Sequence, residues 1–210
     1  MDNLGSLIGE LKAAVAAGRA DEAVAGLRSA LLPDLEYSSA QALLRFYQSL
    51  KKLRVEQPPQ VRIAVLGGYN TATLAPLLDL YLFGADIRAE IYEAGFGTFR
   101  QEILEPRSGL YSFRPNLVIL ATGWHDARYL PRIGAAGTEV GDLCRRELQD
   151  WLRLWETLHE RLSCTIIQNN FDAPAWRILA NHDSRHPAGL AHYLARLNLS
   201  WDPFEWTGCF

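Results

Sequence analysis

Val61-Arg62-Ile63-Ala64-Val65-Leu66, followed at once by Gly67-Gly68-Tyr69-Asn70-Thr71-Ala72-Thr73-Leu74, is the stretch that decides the fold. The first part is an apolar run of strand length, the glycines permit a sharp bend, and the residues from Leu74 onward suit a helix. Strand, glycine turn and helix in that order bring backbone N–H groups and one or two side chains to the carboxyl edge of a sheet, where ligands of such folds bind. The same alternation continues downstream. Strand-length apolar runs lie at residues 89–92, 117–121 and 164–168, and helices are predicted at 74–82 and 142–162, with a shorter helical or looped stretch at 98–104. This is the signature of an α/β fold: a parallel sheet flanked by helices on both faces. After the last run come Asn169-Asn170-Phe171-Asp172-Ala173-Pro174, polar and turn-forming, and a final helix at 187–199. No fifth strand is predicted. The tail from Trp201 to Phe210 has neither a helical nor an alternating period, which allows the chain to stop before its fold is complete.

The residues before this pattern read differently. Leu4, Leu7, Ile8, Leu11, Ala14 and Val15 recur at helical spacing, a second helix is predicted at 20–31, and a third begins near Ser38-Ser39, which can cap it, and runs to about Leu53. Gly18-Arg19-Ala20-Asp21-Glu22-Ala23 resembles the turn of a tetratricopeptide-like hairpin, but no second copy follows at a period of about 34 residues, and a repeat array needs several. Gln57-Pro58-Pro59-Gln60 closes the segment, so residues 1–58 are expected to form a helical appendage and 59–210 the α/β domain.

Composition bounds the function. With 210 residues, 49% of them hydrophobic, the chain can fill a sizeable core. A net charge of −3, with Lys51-Lys52-Leu53-Arg54 as the one basic cluster, offers no broad footprint for nucleic acid. No run of about 18 uninterrupted apolar residues is present to span a bilayer, and the first residues include Asp2, Glu10 and Lys12 rather than a basic flank with an apolar stretch. A cytoplasmic location is expected. Cys144, Cys164 and Cys209 are odd in number and widely spaced, indicating neither a disulfide framework nor a zinc site. His182, His186 and His192 lack the partners of a zinc site, and no metal is expected in this chain.

Four ordered segments carry a family resemblance. They are residues 65–71, 89–104 (Ala89-Glu90-Ile91-Tyr92-Glu93-Ala94-Gly95-Phe96-Gly97-Thr98 and onward), 108–115 and 166–172 (Ile166-Ile167-Gln168-Asn169-Asn170-Phe171-Asp172). Together they resemble the N-terminal, SGNH-hydrolase-like half of FkbH-type proteins (haloacid-dehalogenase superfamily IIIC). The resemblance implies an SGNH/flavodoxin-like sheet. It also implies a haloacid-dehalogenase-like partner domain that takes a glyceryl group from a phosphorylated three-carbon donor and loads it on an acyl carrier protein in polyketide-type biosynthesis. Mg²⁺ would belong to that partner domain, whose signature is Asp-x-Asp-x-Thr. This sequence contains no Asp-x-Asp.

The resemblance also points to site residues. In SGNH enzymes the first loop reads Gly-Asp-Ser-x-Ser/Thr; here Gly68 stands for the aspartate and Tyr69 for the nucleophilic serine. In the FkbH-type pattern, Gly-Asn-x-Thr-Thr, Gly68 replaces Asn and Asn70 the first Thr, leaving Thr71 in register. An unperturbed phenol has a pKa of about 10, and Tyr69 has no adjacent base. Gly67, Gly68, Tyr69, Asn70 and Thr71 are therefore expected to bind rather than attack, or to form a plain strand-to-helix turn. Gly97 falls where an SGNH enzyme supplies an oxyanion donor, or is a turn glycine. Thr122-Gly123-Trp124-His125-Asp126 occupies the place of the Gly-x-Asn-Asp block, with His125 where the oxyanion-binding asparagine would be. Asn169 and Asn170 follow the last strand and complete the expected pocket with Asp126. Asp183-Ser184-Arg185-His186-Pro187 is spelled like a triad Asp-x-x-His, yet these residues can equally open and cap the last helix. Trp151, Trp155 and Leu158 lie at helical spacing and are expected in the core.

The expected role is non-catalytic contact with an acyl carrier protein or a haloacid-dehalogenase-like partner. The rival is an active esterase or acyltransferase using Asp183 and His186 with Thr71 or another, unrecognised nucleophile. A third reading makes the helical appendage a docking or homodimerisation module.

Overall fold

The computed structural model describes residues 2–53 and 58–201. The tail after Trp201 and the Arg54–Gln57 part of the expected boundary, with Cys209, lie outside them. The chain folds as α1 (Asp2–Ala16), α2 (Ala20–Ala30), α3 (Tyr37–Lys51), β1 (Val61–Gly67), α4 (Leu74–Gly84), β2 (Ala89–Glu93), α5 (Phe99–Leu104), α6 (Gly109–Phe113), β3 (Leu117–Ala121), α7 (Gly137–Leu162), β4 (Thr165–Gln168) and α8 (Leu190–Leu199). The strands form one sheet in the order β2-β1-β3-β4. β1 and β3 run parallel with Gly67 opposite Ala121, and β3 and β4 run parallel with Leu120 opposite Gln168. The fold is therefore α/β with helix-flanked parallel strands, and a parallel arrangement puts the loops after successive strands at one end of the sheet.

Two compact units emerge: residues 1–62 with 72–91, and residues 63–71 with 92–210. The helical unit thus contains more than the expected appendage, because α4 joins α1 to α3. Leu80 and Phe83 of α4 share a buried cluster with Leu11, Leu27, Leu43, Phe46, Tyr47 and Leu50. Tyr47 meets the Phe83 ring at 4.8 Å, and Lys51 bonds Asp79 at 2.7 Å. Ser38 and Ser39 do not cap α3: the helix already starts at Tyr37, Glu36 occupies the cap position, and its side chain makes no capping bond.

The second unit is organised by α7, which starts earlier than its predicted onset at 142, at Gly137. Its buried stripe is Val140, Cys144, Glu147, Trp151, Leu154 and Leu158, an alternation of four- and three-residue steps that lays one helix face on the core. Trp151 is fully buried and stacks on Phe99 at 5.6 Å, with the two rings nearly parallel. Val118 and Leu120 of β3 join the same core, while β4 keeps Thr165 and Ile167 exposed. α8 starts at Leu190, three residues after the expected Pro187. Asp183 Oδ2 accepts the N–H of Ala191 at 2.8 Å, so a carboxylate from outside the helix satisfies a donor of its first turn.

Candidate functional site

Three backbone amides in succession leave β3, and each meets a side-chain oxygen. Thr122 N–H donates to Asn169 Oδ1 at 2.8 Å, Gly123 N–H to Asp126 Oδ2 at 2.8 Å, and Trp124 N–H to Asp172 Oδ1 at 3.0 Å. Asn169 Nδ2 returns a bond to the Thr122 carbonyl at 2.6 Å, so its side-chain amide holds both main-chain groups of one residue. The turn carrying Asn169 and Asp172 is held in its own right, because Phe171 exchanges two 2.9 Å bonds with Asn198 of α8. These contacts wall a cleft of about 410 Å³ lined by Gly68, Tyr69, Thr122, Gly123, His125, Asp126, Asn169 and Asp172.

The floor comes from the loop after β1. Gly68 N–H donates to the Ala121 carbonyl at 2.9 Å, continuing the β1–β3 ladder by one bond. A Cβ on Gly68 would lie 1.9 Å from Asp126 Oδ2, so the absence of a side chain at 68 is what admits the Asp126 carboxylate. Burial pushes the Asp126 carboxyl above the usual carboxylate range, opposed by the Gly123 N–H bond and by the positive charge of Arg100. Arg100 also donates to the Asp126 carbonyl at 3.2 Å and pairs with Asp150. His125 is exposed, its ring 3.6 Å from that of Trp124, and Trp124 meets the Trp176 ring edge-on at 5.7 Å.

The structure thus brings together Gly68, Tyr69, His125, Asp126 and Asn169 of the residues singled out in the sequence. The others fall elsewhere or are committed. Gly67 is buried at the end of β1. Thr71 is 3% exposed and donates from Oγ1 to Glu93 Oε1 at 2.5 Å, which ties its loop to the end of β2 and turns its oxygen away from the cleft. Gly97, at φ +67, spends its N–H on the Gly67 carbonyl at 3.2 Å, so the expected oxyanion donor is used inside the fold. Asn70 and Asn170 are exposed and do not line the cleft, although the Asn170 carbonyl accepts Asn169 Nδ2 at 2.9 Å. Asp183 is buried under α8, and His186 Nδ1 accepts the Ala188 N–H at 3.1 Å. Neither residue reaches the cleft. In a triad that ring nitrogen would donate to the aspartate; here it is an acceptor.

Three residues that sequence reasoning did not single out complete the site. Asp172 sits in a turn that reads only as polar. Glu93 is the last residue of β2, where a carboxylate ends an apolar run. Glu147 is fully buried and accepts the N–H groups of Arg128 and Tyr129 on Oε2 at 2.8 Å each, and Trp151 Nε1 on Oε1 at 2.8 Å. Tyr193 hydroxyl donates to the Tyr129 carbonyl at 2.7 Å, so the segment after Asp126 is pinned from both α7 and α8. The readable signal for Glu147 is a carboxylate in an otherwise apolar helix stripe.

No group of three or more His, Cys, Asp or Glu residues is placed to hold a metal ion among the described residues. No described helix is long and apolar enough to cross a membrane.

No protein-family model matches the chain, and the comparison with curated proteins finds no match. Among solved structures, the chain is similar to the N-terminal part of the protein BF1531 from Bacteroides fragilis, described as containing a phosphatase domain and complexed with Mg. The TM-score is 0.55 and the identity 20%, over 68% of this chain and 36% of that one. The chain therefore spans little more than a third of that protein's solved part, and what the two share is an α/β fold.

Proposed function

We propose that this chain is the SGNH-like, non-catalytic domain of an FkbH-type system, and that the loop end of its sheet binds an acyl carrier protein or a haloacid-dehalogenase-like partner during loading of a three-carbon glyceryl unit. The observation that carries the non-catalytic part is the commitment of Thr71 and of the expected oxyanion-donor amides. Tyr69 stands where the nucleophile belongs, Thr71 is buried against Glu93, and the amides of Gly97, Thr122, Gly123 and Trp124 all have partners within the fold. An oxyanion hole needs donors aimed at the developing charge, and losing one costs about 10²-fold or more in rate. The fold shared with a longer protein that contains a phosphatase domain supports a partner that supplies the chemistry. Any Mg²⁺ would lie in that partner, since this sequence has no Asp-x-Asp.

The test is a p-nitrophenyl acetate assay on the full chain beside calorimetric titration with an acyl carrier protein. The expected result is no turnover above background and a saturable heat of binding. Turnover that disappears in Thr71→Ala or His186→Ala would replace this reading with an esterase.

A further inference from the structure

The cleft has a one-sided supply of hydrogen-bonding groups. Its donors are spent: the amides of Thr122, Gly123 and Trp124 all have partners, and Asn169 gives its side-chain oxygen and nitrogen to main-chain groups. Its acceptors are not. Asp126 and Asp172 each give one carboxylate oxygen to an amide, and the second oxygen of each, Asp126 Oδ1 and Asp172 Oδ2, takes no hydrogen bond from the described residues. Their charge is already opposed by those amides and, at Asp126, by the Arg100 guanidinium on its carbonyl. What each carboxylate has left is lone pairs. An anion finds no donor here, because neither lysine nor arginine lines the cleft and the loop amides are committed. A neutral hydroxyl or amide N–H does find a partner, and a hydrogen bond to an ionised acceptor is stronger than one between neutral groups. Tyr69 and His125 line the same space and offer ring surface to the carbon atoms of such a ligand. The volume of about 410 Å³ lies within the span of about 300–1,000 Å³ usual for small-ligand sites, enough for a small molecule or one extended chain.

We propose that the cleft binds a neutral ligand whose hydroxyl and amide hydrogens are donated to Asp126 and Asp172, and that this ligand is the pantetheine arm of the carrier protein. The inference rests on the reading that this end of the sheet meets a carrier protein, and it adds which part of the carrier enters. Pantetheine is an extended chain with two amide N–H groups and two hydroxyls, so it supplies what the cleft lacks.

The test titrates reduced pantetheine, glycerol, inorganic phosphate and butylammonium separately into the full chain and follows the backbone amides by NMR. Pantetheine is expected to shift residues 122–124 and 172 saturably, glycerol to bind at least about tenfold more weakly, and the two ions to leave these amides in place. Asp172→Asn keeps an oxygen for the Trp124 N–H and turns the free oxygen into an NH₂ donor, so it should weaken pantetheine by about tenfold. Tyr69→Ala removes an exposed ring from the lining without touching the core and should weaken it as well, which keeps the test open if the Asn variant loses its fold. Tighter binding of phosphate or butylammonium, or pantetheine binding indifferent to both variants, overturns the inference. Glycerol binding as tight as pantetheine overturns the arm as the source. A carrier protein that binds while pantetheine leaves the amides in place overturns this inference and leaves the carrier reading standing. A carrier protein that does not bind removes the reading beneath it.

Discussion

The loops that leave β1 and β3 start from paired strands, and they are equipped in opposite ways. The loop after β1, where an enzyme of this architecture keeps its first reactive group, offers two glycines and an exposed phenol. The loop after β3 carries His125 and Asp126 and draws in Asn169 and Asp172 from the next connection. The two are linked by exclusion, since the space beside the Gly68 Cα is filled by the Asp126 carboxylate. Only one of these loops can place a side chain there. The polar equipment of this site therefore belongs to the third strand, and the first contributes room.

The largest effect is expected from breaking the support of the third loop. Glu147→Ala leaves the Arg128, Tyr129 and Trp151 N–H groups without their acceptor and should cost about 3 kcal/mol or more in urea denaturation. Hydrogen exchange at residues 128 and 129 should accelerate while the amides of β1 stay protected; equal acceleration of both would show that the two loops are not independently held. A middle-sized effect tests the exclusion itself. Gly68→Asn should destabilise by about 1–3 kcal/mol through overpacking, and adding Asp126→Gly should recover most of the loss. Additive losses in the double variant would show that the two positions do not share one space.

The smallest effect concerns the charge of Asp126. Its carboxyl is raised in the fold, so the stability tied to its neutral form is complete below about pH 4 and is lost as pH rises through the raised value. Asp126→Asn has no proton to lose and can still accept the Gly123 N–H. Its thermal midpoint relative to the parent should rise over that interval and then stay level. A constant difference between the two proteins from acid to neutral pH would remove Asp126 as the titrating group.

The parallel strands were legible because fully buried strands are near-continuous apolar runs, and residues 61–66 and 117–121 are such runs with turn residues on either side. Helix ends were less so. α6 spans only Gly109–Phe113, too short to show a period; α8 begins at Leu190 rather than Pro187, with Gly189 at the cap position, although Asp183, which the sequence offered as a capping residue, does accept the Ala191 N–H. Membership of α4 in the helical unit could not be read at all, since Leu80 and Phe83 announce a buried face without naming what covers it. At the site, position was readable and use was not. His125, Asp126 and Asn169 could be placed after their strands by topology alone, but whether an amide such as that of Gly97 or Thr122 is free depends on partners far along the chain.

The tryptophans give this molecule two built-in optical channels. Trp151 and Trp155 are sealed in the core, where indole emission is shifted to the blue, and they report whether the domain is folded. Trp124 and Trp176 are crossed at 82° with ring centroids 5.7 Å apart, an arrangement suited to exciton splitting in far-ultraviolet circular dichroism. Occupancy of the cleft and integrity of the core can therefore be followed at the same time in one unlabelled sample.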